Sequence, residues 1–213
     1  MTNTVGILTS YVGGALGFRD HLRMQRSRLR ELAPVALAGG VVGAVLLLLT
    51  SESSFKAVVP VLILGACTLF AFQPVVRRRV VARRQHRVGE AHDPTGRLGV
   101  AALACVFAAA VYGGYFGAGI GVILLAILGV FLDDPLPSVN SIRGVLSLLV
   151  NAIAAVVFAF FAGVDWGVAG VLSVTCLIGG YTGARVSLRM PDHLLRVVVI
   201  AFGLIAVARL LTT

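Results

Sequence analysis

Two groups of residues in this chain have types and spacings that can do chemistry, and the chemistry is binding through backbone and side-chain hydrogen-bond donors rather than catalysis. The first is a run of five glycines, Gly113, Gly114, Gly117, Gly119 and Gly121, crowded into nine positions beside Tyr112, Tyr115 and Phe116. Glycine lowers helix propensity and lets backbone turn or approach a ligand closely. Such a run can aim free N–H groups and a half-helix N-terminus at an anion. The second group lies downstream: Asn140, Ser141, Ser147 and Asn151 offer hydrogen bonds, and Arg143 and Arg185 can attract an anion. Asn151 is the best single candidate, because an Asn among apolar residues is costly unless partnered.

Each feature has a plainer reading beside it. Gly113/Gly117 and Gly117/Gly121 are small-xxx-small pairs, which let membrane helices pack with no ligand at all. Asn151 fits an interhelical hydrogen bond equally well. Arginines near helix ends more often snorkel to headgroups. A nucleotide-binding loop is excluded: the glycines fit no G-x-G-x-x-G register, no strand pattern precedes them, and no Walker lysine follows.

The elements that must hold these residues are apolar spans. Apolar residues make up 58% of the 213-residue chain and charged residues 13%, with a mean hydropathy of +0.98; soluble domains carry about 25% charge. The expected fold is an all-α integral membrane protein of about seven transmembrane segments. They fall at about 2–18, 32–50, 55–76, 98–132, 139–162, 166–188 and 194–211. Leu98 to Leu132 stands apart, with 35 residues and no charge. As one helix it would run roughly 50 Å, against about 30 Å of hydrocarbon, so a break at Gly113–Gly121 is expected. Irregular backbone at that depth needs burial or a watery cavity, and in transporters it often marks the substrate site.

Arginine supplies 17 of the 18 basic residues, and 12 of the 18 lie at 19–31 and 77–97. Short basic loops between apolar spans orient a membrane protein. If each segment crosses once, both basic stretches are cytoplasmic, the turns at 51–54 and Asp133–Asp134 lie opposite, Met1 is outside and the C-terminus inside. Nucleic acid is not implied. Cys67, Cys105 and Cys176 show no metal spacing, the histidines fall in loops, and no metal or cofactor is expected.

The chain repeats itself. Gly39-Gly40-Val-Val-Gly43-Ala44 recurs as Gly179-Gly180-Tyr-Thr-Gly183-Ala184, Lys56-Ala-Val-Val as Arg196-Val-Val-Val, and Gly6-Ile-Leu-Thr9 as Gly144-Val-Leu-Ser147. This divides the chain into an N-terminal repeat at 2–76, a basic cytoplasmic loop at 77–97 and a C-terminal repeat at 98–211. Four segments per unit make the two repeats parallel. The first unit has no counterpart of 98–132, so an additional glycine-broken segment encoded upstream is expected.

These residues resemble the TauE/SafE family of sulfite exporters and related anion permeases. The resemblance rests on Tyr112-Gly-Gly-Tyr-Phe-Gly-Ala-Gly-Ile-Gly121, Asn140-Ser-Ile-Arg-Gly with Asn151, Val164-Asp165-Trp166, Gly179-Gly-Tyr-Thr-Gly-Ala-Arg185, and Thr2-Asn-Thr-Val through Gly17-Phe18-Arg19. It covers the chain apart from 77–97, and the family's first glycine-rich helix is absent. It implies a cell-membrane permease for small inorganic or organic anions, often sulfur-containing, and leaves a homo-oligomer open. A membrane-embedded enzyme finds no support, since the spans hold no His/Glu/Asp cluster. A non-transporting scaffold or inactive fragment is the alternative that the missing segment keeps open.

Overall fold

The computed structural model describes residues 26–86, 99–132, 134, 136–163 and 165–187, with isolated positions 2, 4, 197, 200, 201 and 205. The segments expected at 2–18 and 194–211 lie outside the described residues. Six helices follow in order: α1 (Arg26–Leu49), α2 (Glu52–His86), α3 (Val100–Tyr115), α4 (Ile120–Phe131), α5 (Leu136–Phe161) and α6 (Trp166–Ser187). No strand occurs among the described residues.

Two helix ends depart from expectation, both at basic runs. The second expected helix starts at Arg26 instead of Leu32, and the third continues ten residues into the expected loop, to His86. Arginine is a good helix former, so charge that leaves the bilayer does not unwind the backbone. At 35 residues, α2 is about 52 Å long, and its Arg77–Arg84 end stands beyond a core of about 30 Å.

Glycines in α1 set the packing. A Cβ at Gly39 would lie 2.7 Å from both Ala110 Cβ and the Phe107 carbonyl oxygen. One at Gly43 would collide with the Val111 carbonyl, and one at Gly114 with the Gly40 carbonyl. The Gly39–Ala44 repeat motif is therefore a close-approach surface of the small-residue kind. These contacts also give direction. Residues 39 and 43 meet successively later residues of α3, so α1 and α3 run parallel. Gly40 meets Val150 and Ile153, while Ala44 clusters with Ala154 and Phe158. Hence α5 runs parallel to α1 as well.

The short α4 runs the other way. Its first residue, Ile120, packs on Gly113 near the end of α3. Leu124, Leu125, Leu128 and Leu132 belong to the buried cluster that also holds Leu32 and Ala36 of α1. Just past α4, Asp134 accepts an ion pair from Arg28 Nε at 3.2 Å. Thus 98–132 enters and leaves on the same side, the side of the Arg26–Arg30 run. Arm length agrees: α3 with 16 residues and α4 with 12 are about 24 and 18 Å long, each too short to cross about 30 Å.

The all-helical fold with a glycine-broken segment stands, and one expectation built on a single crossing is corrected. Asp134 lies on the basic side, where the turn was expected opposite it. In a cysteine-free background, single cysteines at Gln85 and Pro135 should react alike with an impermeant thiol reagent applied to intact cells, and opposite to one at Ser53. Labelling that grouped Pro135 with Ser53 would make 98–132 a true crossing.

Candidate functional site

The break is four residues, Phe116 to Gly119, between α3 and α4. Gly117 and Gly119 have φ of +81° and +78°, and they are the positive-φ residues of the described chain. In that left-handed region an L side chain costs roughly 1–2 kcal/mol, which is why glycine occupies both positions. Phe116 N–H closes the last turn of α3 on the Tyr112 carbonyl at 2.9 Å, and the N–H groups of Val122 and Ile123 reach the Gly119 carbonyl. Between them, Gly117, Ala118 and Gly119 direct no N–H to a backbone carbonyl among the described residues. Gly119 caps α4 with no side-chain hydrogen bond. A 12-residue helix thus begins inside the fold with donors and the positive end of its dipole exposed.

The five glycines divide by role. Gly113 and Gly114 sit in the last turn of α3, are buried, and allow contact with Ile120, Val150 and the Gly40 backbone. Those two are packing glycines. Gly117 and Gly119 make the turn itself. Gly121, in the first turn of α4, lies against Arg143.

On the other side stands α5. Arg143, Ser147 and Asn151 follow one another at spacings of four and so share a face. Arg143 Nη1 donates to the Gly121 carbonyl at 3.1 Å, across 22 residues. Asn151 is 8% exposed, and its Nδ2 donates to the Ser147 carbonyl at 2.8 Å. Its Oδ1 lies 3.6 Å from where a Cβ on Gly117 would stand. Ser147 is 6% exposed, and its Oγ is buried with no hydrogen-bond partner among the described residues. An unpaired buried hydroxyl costs about 1–3 kcal/mol.

Arg143 decides between snorkelling and a site. It stands seven residues inside the start of α5, about 10 Å along the axis. A snorkelling side chain would turn back toward that end. The guanidinium instead meets Gly121, which lies ten residues inside the end of α4, about 15 Å deep. It reaches inward. Between residues 98 and 164 no other cationic side chain occurs, and the acidic ones are Asp133 and Asp134.

Not every expected residue gathers here. Asn140 and Ser141 stay in the first turns of α5, where Ser141 Oγ donates to the Ser138 carbonyl at 2.9 Å and the residue is 1% exposed. Arg185 lies in the last turn of α6, and its side chain lies outside the described ones. The structure adds contributors that spacing did not reveal. Tyr112 Oη donates to the Ala118 carbonyl at 2.8 Å, bracing the break, and its ring meets Phe116 edge-on at 6.1 Å. Ala66 and Leu69 of α2 approach Gly119. For Tyr112 the signal was present as an aromatic beside the glycines, but its partner six residues on was not. Among the described residues no cluster of His, Cys, Asp or Glu could hold a metal.

The family model described as Sulfite exporter TauE/SafE matches residues 1–210. No curated protein and no solved structure gives a significant match.

Proposed function

We propose, for a chain that belongs to the sulfite exporter TauE/SafE family over residues 1–210, that the hairpin break and the facing side of α5 form the binding site of a secondary transporter for small sulfur oxyanions. An integral membrane protein of this family is a carrier of sulfite-type anions, and the finer reading concerns where the anion sits in this chain. The observation that carries it is the inward-turned Arg143 guanidinium on the first turn of α4. An ionisable side chain at membrane depth is a functional group by default. Here it converges with an uncapped helix N-terminus and a buried serine hydroxyl that lacks a partner.

The roles follow from the donors. Arg143 supplies the counter-charge, and the N–H groups of Gly117–Gly119 supply directional hydrogen bonds. Ser147 and Asn151 supply neutral polar contacts from α5. The α1/α3/α5 trio, locked by glycine contacts, is the frame. The basic side, with Arg26–Arg30 and the α2 extension, is cytoplasmic by the positive-inside rule. The short α4, attached through two left-handed glycines, is the element whose movement exposes the site.

Sulfite flux into proteoliposomes holding the purified chain tests this reading directly. Asn151→Ala should raise the half-saturating concentration about fivefold, the equivalent of about 1 kcal/mol for one hydrogen bond, with insertion and melting temperature close to those of the parent. No saturable flux of any sulfur oxyanion would favour the inactive-scaffold reading. Loss of melting temperature with unchanged half-saturation would make Asn151 a packing residue.

A further inference from the structure

The orientation of one amide narrows the substrate class, and the step rests on the anion-site reading above. Asn151 stands 2.8 Å from the Ser147 carbonyl oxygen. A carbonyl only accepts, so the amide nitrogen must face it; the reverse placement would set two oxygens against each other. The amide oxygen is thereby fixed on the other side, toward Gly117. No donor among the described residues reaches it. The site therefore presents one positive charge from Arg143, backbone donors, and one acceptor that a ligand proton would satisfy. Ser147 Oγ, buried and unpartnered, can donate or accept.

We infer that the site binds a singly charged oxyanion that still carries an O–H, with that proton donated to Asn151 Oδ1 and the negative oxygens directed at Arg143 and the break N–H groups. A dianion fits less well on two counts. It would leave a net negative charge in a low-dielectric site, and it would set oxygen lone pairs against the amide oxygen. A sulfonate monoanion meets the charge but leaves the amide oxygen unsatisfied. A hydrogensulfite-type acid anion meets both.

Few protein groups can confuse the pH dependence this implies. On the elements packed against α5, the titratable side chains are Arg26, Arg28, Arg30 and Glu31 at the foot of α1, and Cys105, Tyr112 and Tyr115 on α3. Helix α4 has none, and α5 itself carries Arg143. The ligand is then the main titrating partner near neutrality.

The test is calorimetric binding to the purified full chain across neutral pH, with two probes. Sulfite loses its second proton near neutrality, whereas methanesulfonate is singly charged throughout and has no O–H. Sulfite affinity should fall about tenfold per pH unit on the alkaline side, as the bound proton requires. Methanesulfonate should bind more weakly and show no such slope. Asn151→Ala should close the gap between the two ligands in acid. Sulfite affinity that is flat or rises with pH would overturn the inference, as would methanesulfonate binding as tightly as sulfite in acid. Failure of both ligands to bind at any pH would overturn the anion site itself.

Discussion

Substituting Arg143 with glutamine should cut sulfite flux by roughly thirtyfold to several thousandfold, the range that corresponds to about 2–5 kcal/mol for losing one partner of a buried charged contact. The substitution removes the charge and leaves an amide donor on a side chain two bonds shorter than the one that bonds the Gly121 carbonyl. Arg143→Lys should recover part of the loss. The ammonium keeps the charge but cannot bond the carbonyl and the anion in one planar fork. Flux, half-saturation and melting temperature measured on the same preparations separate this from the snorkelling alternative. A snorkelling arginine tolerates both changes with flux nearly intact.

Leucine at Gly117 or Gly119 should abolish flux while the protein still inserts. Both glycines hold φ near +80°, where an L residue costs roughly 1–2 kcal/mol, so leucine favours a straighter path through the break. At Gly117 the new side chain also grows toward Asn151 Oδ1, 3.6 Å from its first carbon. At Gly119 the surroundings are looser, with Leu69 and Ala66 at 3.7–3.9 Å. Gly119→Ala thus tests conformation with little crowding and should give an intermediate loss. If leucine leaves flux intact at both positions, or every loss follows melting temperature, the break is a packing device.

The glycine cluster made the break legible, because a charge-free stretch too long to span has few other places to fail. Its direction was not legible. Whether a broken segment crosses or turns back is settled by pairings: Arg28 with Asp134, far away in sequence, and Ile120 with Gly113 across the break. Local composition carries none of these pairings. The same limit explains the glycines. Spacing gives all five alike, yet Gly114 is required by the Gly40 backbone and Gly119 by its own φ. Arg143 was visible as a charge near an apolar span, but its inward turn depends on where α4 begins. Asn140 and Ser141 were chosen by type, and the helix leaves them near its foot.

The unequal reach of the hairpin also fixes an electrical property. The break stands at the far end of arms about 18–24 Å long, in a core of about 30 Å, so it lies past the midpoint as measured from the basic side. Moving one elementary charge through the whole membrane potential is worth about 2.3 kcal/mol per 100 mV. If the field falls evenly, a monoanion arriving from the basic side has already traversed roughly two thirds of it on binding. Loading is then the voltage-sensitive step, and with that side negative the resting potential drives the anion into the site and outward. Release on the far side crosses only the remaining third, so the depth of the binding site makes loading, more than release, respond to the membrane potential.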